Sequence, residues 1–71
     1  MSKEMEFFIF LIEHYSDYKN KNAKEVMEEL KKYNLVDRVF DGYEFYHIER
    51  LENAYEDIDT LIKQANINEQ K

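Results

Sequence analysis

The sequence predicts an all-α fold, a small bundle of three to four helices. The chain has 71 residues, which suits one small domain spanning residues 1–71. It contains no proline and one glycine, so the tight turns that β-hairpins need are almost absent. Its apolar residues recur every three or four positions along most of the chain, which is typical of amphipathic helices. The predicted helices cover about 3–18, 23–33, 36–46 and 50–65.

The first predicted helix, 3–18, is apolar on two faces. Ser2 is a candidate N-cap, and the acidic residues that follow it suit the positive end of a helix dipole. One apolar face consists of Met5, Phe8, Ile9, Ile12 and Tyr15, and the other of Phe7, Phe10, Leu11 and Tyr18. The run 7–12 also suits a buried strand, but the remaining sequence offers no partner strand. A helix that is apolar nearly all round must be covered nearly all round, so we expect a central helix or one that binds a second subunit.

The second predicted helix has one apolar face and a signal at each end. Asn22 and Glu25 have the spacing of a capping box at its start. Its apolar residues are Ala23, Val26, Met27 and Leu30. Asn34 follows the helix where a residue in the left-handed conformation commonly ends one.

The remaining elements differ in how clearly the sequence defines them. The third predicted helix, 36–46, loosens at Gly42, and the segment 43–48 fits a continued helix, a kink or a connector. The last predicted helix, 50–65, has the most regular helical spacing. Its apolar residues are Leu51, Ala54, Tyr55, Ile58, Leu61, Ile62 and Ala65. The polar residues 66–71 are expected to fray.

Charge and composition exclude several classes of protein. Ten basic and sixteen acidic residues give a formal net charge of −6, which opposes binding to phosphate backbones and to anionic membranes. The longest apolar run, 7–12, is too short to cross a bilayer and lacks the flanks of a signal peptide. The absence of cysteine excludes disulfides and thiolate zinc sites and fits a reducing compartment. We therefore expect a cytoplasmic protein that binds neither nucleic acid nor membranes.

Few residues suit catalysis or metal binding. His14 and His47 lack the spacing of a zinc motif, and we interpret them as structural side chains, His14 partly buried or capping and His47 bonded to a free helix end. Ser2 and Ser16 are the only serines and form no credible catalytic triad, and a single glycine cannot build a phosphate-binding loop. The sequence thus predicts a non-enzyme with no catalytic residue, metal ligand or cofactor. A metal-dependent hydrolase that uses both histidines with acidic residues is the least favoured alternative.

The acidic residues of the last helix suggest a partner surface, with solubility as the simpler explanation. Segment 41–62 carries seven acidic residues and one arginine. We expect Glu56 and Asp59 to point into water and Asp57 to lie nearer the apolar face. Tyrosine also anchors interfaces when it is partly exposed, although packing in the core explains the six tyrosines equally well. The predicted partner-binding residues are Tyr43, Tyr46, Glu52, Glu56 and Asp59.

Function is therefore predicted to be non-catalytic. Our first hypothesis is a protein-interaction module whose partner includes a second copy of itself, because the first helix has more apolar surface than a small bundle covers. The predicted self-association residues are Phe7, Phe10, Leu11 and Tyr18.

Three stretches carry a resemblance to a known family. They read EFFIFLIEHYSDYKN, AKEVMEELKKYNLVDRVFDGYEFYH and YEDIDTLIK. In this order, from about Glu6 to Lys63, they resemble a short bacterial family of proteins of unknown function, domain of unknown function 3791. The stretch HIERLEN from His47 departs from that pattern. The resemblance implies a helical fold, and it implies an accessory or antitoxin-like partner that binds and regulates a neighbouring ADP-ribosyltransferase-like protein.

Overall fold

Every regular element in residues 1–69, the part that the computed structural model describes, is an α-helix. The helices are α1 (Lys3–Tyr18), α2 (Ala23–Lys32), α3 (Val36–Phe40), α4 (Tyr43–Tyr46) and α5 (Leu51–Glu69). The predicted all-α class is confirmed. The bounds of α1 agree with the prediction, and α2 ends one residue before its predicted end.

Side chains at the predicted positions cap the first two helices. The Ser2 hydroxyl accepts a hydrogen bond of 3.1 Å from the Met5 backbone N–H at the start of α1. At the start of α2, Asn22 and Glu25 each accept a bond from the other's backbone N–H, at 2.8 and 3.2 Å. These bonds satisfy N–H groups that have no partner within the helix, so the sequence fixes where both helices begin.

Both helices end with an asparagine in the left-handed conformation. Asn34 has a φ angle of 58° after α2, as predicted, and Asn20 has a φ angle of 61° after α1. The Lys21 N–H then donates to the Ser16 carbonyl at 2.8 Å, which is the longer bond of a Schellman motif. The polar composition of 17–22 indicates a loop but does not reveal this second left-handed cap.

The predicted third helix is two short helices separated by a turn. α3 ends at Phe40, and α4 begins at Tyr43 after Asp41 and Gly42. The Tyr46 ring packs directly on the Gly42 backbone, where a Cβ atom would lie 2.3 Å from a ring carbon. Segment 43–48 is therefore one helical turn followed by a connector to α5.

The last helix is longer than predicted. α5 runs from Leu51 to Glu69, four residues beyond the predicted end at 65. The expected fraying of 66–71 stays a prediction for residues 66–69, and residues 70 and 71 lie outside the described part.

α1 lies at the centre of the core and packs against α2, α3 and α4. The buried apolar residues are Phe8, Leu11, Ile12, Tyr15, Val26, Leu30, Val39, Tyr46, Ala54, Tyr55 and Ile58. Two residues predicted at interaction surfaces are thus core residues, Leu11, which is 1% exposed, and Tyr46. Leu11 follows Phe8 by three positions and precedes Tyr15 by four, so it shares their buried face of α1. Tyr46 is buried because its ring turns inward over Gly42.

Candidate functional site

α1 remains partly uncovered along two edges. Met5 and Ile9 are 39% and 41% exposed at one edge, and Phe10 is 43% exposed at the other. Each edge belongs to a larger apolar surface that includes residues of other helices. We name these surfaces the apolar groove and the aromatic patch.

The apolar groove lies between α1, α2 and α3 and has a volume of about 580 Å³. Its lining residues are Met5, Phe8, Ile9, Ile12, Glu13, Ala23, Met27, Val36, Asp37 and Phe40. The Phe8 and Phe40 rings pack against each other within it, with their centres 5.7 Å apart. Among the residues that the structure describes, two exposed carboxylates, Glu13 on α1 and Asp37 on α3, are the only charged groups in the lining. The groove therefore combines an apolar interior with negative charge.

The aromatic patch is a continuous set of ring contacts between α1 and α4. It consists of Phe7, Phe10, His14, Tyr43 and His47. The Phe7 ring is the link, since its centre lies 6.2 Å from that of Phe10 and 5.6 Å from that of Tyr43. His14 packs on Phe10 at 4.0 Å, and His47 stacks on Tyr43 at 4.1 Å with the ring planes 6° apart.

A backbone hydrogen bond holds each imidazole of the patch in place. Nδ1 of His14 donates to the Phe10 carbonyl at 2.9 Å, and Nδ1 of His47 donates to the Tyr43 carbonyl. Because a carbonyl only accepts, both bonds require a proton on Nδ1. Each imidazole thus lies over the aromatic ring four residues before it. His47 bonds to α4 and not to the start of the last helix, and the Tyr43 carbonyl that it uses also accepts the His47 backbone N–H. His14 is exposed within α1 and is neither buried nor at a helix end.

A third cluster connects α1 to α5. The Tyr15 hydroxyl donates to Oδ1 of Asp59 at 2.5 Å, and Nζ of Lys19 lies 3.2 Å from the same oxygen. Asp59 was expected in water, but it is half-buried because its carboxylate faces Tyr15. Asp57 is exposed but lies beside the buried Tyr46 hydroxyl, near the apolar face as expected. Beside this cluster the exposed Tyr18 ring stacks on Tyr55 at 4.7 Å.

The Tyr15 bond predicts a loss of stability at alkaline pH. Burial, followed by the hydrogen bond to Asp59, raises the pKa of the Tyr15 hydroxyl far above its ordinary value, and burial also raises the pKa values of Tyr46 and Tyr55. Above pH 10.0, the ordinary tyrosine pKa, the unfolded chain loses these protons while the folded chain keeps them. The free energy of unfolding is therefore unaffected by these groups below about pH 10 and falls above it, and Tyr15 alone contributes about 1.4 kcal/mol per pH unit to the fall.

Urea unfolding at several pH values on both sides of pH 10.0 measures this loss. Tyr15→Phe removes one of the three groups, so its free energy of unfolding is expected to fall less steeply above that pH. An equal slope in wild type and Tyr15→Phe would contradict the assignment of this proton to Tyr15.

The residues predicted to bind a partner or a second copy lie at several separate places in the structure. Phe7, Phe10 and Tyr43 come together in the aromatic patch. Tyr18 lies apart with Tyr55, and Asp59 bonds to Tyr15. The acidic residues Glu52 and Glu56 are exposed on α5. The predicted partner-binding and self-association sets are therefore not two continuous surfaces.

Sequence reasoning missed two features of these surfaces. The two histidines belong to the aromatic patch, and the readable signal was an aromatic residue four positions before each of them, Phe10 for His14 and Tyr43 for His47. The apolar groove had no such signal, because its lining comes from three helices that are separate in sequence.

Residues 1–69 contain neither a metal-binding cluster nor a helix that could span a membrane. No group of three or more His, Cys, Asp or Glu within residues 1–69 could hold a metal ion. Among the helices of this described part, each is too short or too polar to cross a bilayer.

The protein is thus a small all-α protein built around one central helix, α1, which carries two apolar surfaces. The chain belongs to the family described as protein of unknown function DUF3791, whose model matches residues 6–65. No curated protein and no solved structure matches the chain significantly. The family description names no activity.

Proposed function

We propose that this chain is a non-catalytic protein-interaction module that self-associates through the aromatic patch. The observation that carries the proposal is the partial exposure of Phe10, 43%, within one continuous set of aromatic contacts. Aromatic side chains anchor interfaces because they bury a large area with few rotatable bonds.

The order already present in the patch favours association. Both imidazoles are hydrogen-bonded to backbone carbonyls and packed on aromatic rings, so little side-chain entropy remains to be lost on binding. None of the five patch residues is a carboxylate, although the chain carries a net charge of −6. Two patches can therefore face each other without burying a carboxylate of the patch itself. The repulsion between two copies comes from acidic residues outside the patch.

Phe10→Ser is expected to weaken self-association at least about tenfold, because it removes the most exposed phenylalanine of the patch and the ring on which His14 packs. Sedimentation velocity over a concentration series measures this change. Phe45→Ser is the matched control, since Phe45 is 67% exposed on α4 and lies outside the patch. Added salt is expected to strengthen wild-type association, because it screens the repulsion between two negative chains.

Two results would count against this proposal. A wild-type protein that stays monomeric at every concentration and salt level would remove self-association. Equal weakening by Phe45→Ser and Phe10→Ser would place the interface elsewhere.

A second function, binding to a different protein as an accessory or antitoxin-like partner, is favoured by the apolar groove. The groove lies on the edge of α1 that carries Met5 and Ile9, away from the ring contacts of the patch. One copy of the chain thus has room for a partner there while it associates through the patch.

A further inference from the structure

We propose that the apolar groove binds an amphipathic helix of another protein, one that presents large apolar side chains flanked by Lys or Arg. This inference rests on the second proposed function and is independent of self-association, which uses the aromatic patch.

The lining of the groove suits a helix better than a small molecule. Its volume, about 580 Å³, admits either occupant. Small-molecule sites, however, hold a few polar groups inside that fix the orientation of the ligand. Here eight of the ten lining residues are apolar, and the two polar ones, Glu13 and Asp37, are both exposed. A row of apolar side chains from a helix needs no internal polar partner.

The residues at the open side of the groove favour an adaptable helical partner. Met5 and Ile9 are one helical turn apart on α1 and are both partly exposed. Met27 faces them from α2 and is half-buried. Methionine side chains adjust to apolar shapes, and surfaces that bind amphipathic helices use them for that reason. Burial of this open side would remove from water apolar area that residues 1–69 leave exposed.

Charge decides what kind of helix fits. Glu13 and Asp37 lie on two different helices, α1 and α3, and no Lys or Arg among residues 1–69 lines the groove. A helix with Lys or Arg beside its apolar face places positive groups against both carboxylates, and this complementarity favours its association. A second copy of this chain brings a net charge of −6 instead. The described chain also uses its own amphipathic helices, α2 and α5, to build its core.

Binding of two designed peptides tests the proposal. The first is helical, with Leu and Phe on one face and Lys on both sides of that face; the second has Glu in place of every Lys. Methyl NMR spectra of the full chain report contact, because two of its three methionines, Met5 and Met27, line the groove. Met1 is exposed outside the groove and serves as the internal control for non-specific binding. We expect the Lys peptide to shift the Met5 and Met27 signals and to bind at least about tenfold more tightly than the Glu peptide.

Charge reversal provides the matched variants. Glu13→Lys combined with Asp37→Lys is expected to reverse the preference, so that the Glu peptide binds more tightly. Glu52→Lys combined with Glu56→Lys makes the same change of charge at exposed residues of α5 outside the groove, and this control is expected to keep the preference for the Lys peptide. Added salt is expected to weaken binding of the Lys peptide, which is opposite in sign to its effect on self-association.

Three results would overturn the groove proposal. They are equal affinity of the two peptides, a shift of Met1 alone, and loss of the preference in the α5 control as well as in the groove variant. Phe10→Ser is expected to retain peptide binding, because its side chain lies in the patch. Self-association without peptide binding therefore removes only this inference, whereas peptide binding by a strict monomer removes only self-association.

Discussion

Leu11→Ala is expected to lower the stability of the fold strongly rather than to separate copies of the protein. Leu11 is 1% exposed and lies on the buried face of α1. Removal of a buried leucine side chain lowers the free energy of unfolding by about 2–5 kcal/mol, through lost burial and the cavity left behind. A 71-residue chain has a total of roughly 4–11 kcal/mol at ordinary stability per residue. The loss is therefore a large share of the whole.

Urea unfolding followed by circular dichroism measures this effect, and Phe10→Ala is the matched control. Phe10 precedes Leu11 on the same helix but is 43% exposed, so its truncation is expected to change the free energy of unfolding by less than about 1 kcal/mol. A Leu11→Ala protein that keeps wild-type stability and loses only self-association would show that Leu11 belongs to an interface, as the sequence had suggested.

Gly42→Ala is expected to lower the free energy of unfolding by about 1–3 kcal/mol, the usual range for an overpacked site. The φ angle of Gly42 is −75°, which alanine adopts without strain. At such a position alanine ordinarily stabilises a protein by about 0.4–1 kcal/mol, because it restricts the unfolded chain. Here the new Cβ would lie 2.3 Å from the Tyr46 ring, which is buried and cannot move aside freely. The steric effect is therefore expected to exceed the entropic one.

The midpoint of urea unfolding decides between these two effects, since they have opposite signs. Asp41→Ala changes the neighbouring, exposed residue of the same turn and is expected to stay within about 0.5 kcal/mol of wild type. A Gly42→Ala protein as stable as wild type, or more stable, would contradict the close approach of the Tyr46 ring.

The bounds of α1 and α2 were predictable because they depend on neighbouring residues. Ser2 and the pair of Asn22 and Glu25 cap the two helices through bonds that span three positions. Asn34 ends α2 with the same kind of local signal. Each of these signals involves residues a few positions apart, so a short stretch of sequence contains all the groups that decide where the helix begins or ends.

Local signals do not predict which faces of α1 the other helices bury. Apolar residues occur nearly all round α1, so helical periodicity alone does not separate Leu11 in the core from Phe10 at the surface. Asp59 shows the same limit, since its partner Tyr15 is 44 residues away in sequence and meets it only when α5 packs beside α1. Which side chains a helix buries depends on where the other helices pack.

Backbone amide NMR spectra recorded over a dilution series test most directly whether the aromatic patch joins two copies of this chain. We expect the signals of Phe7, Phe10, His14, Tyr43 and His47 to shift together as the concentration rises, while that of Phe45 stays constant. Spectra that are identical at all concentrations, or shifts confined to α5 or to the groove residues of α2 and α3, would contradict association through the patch.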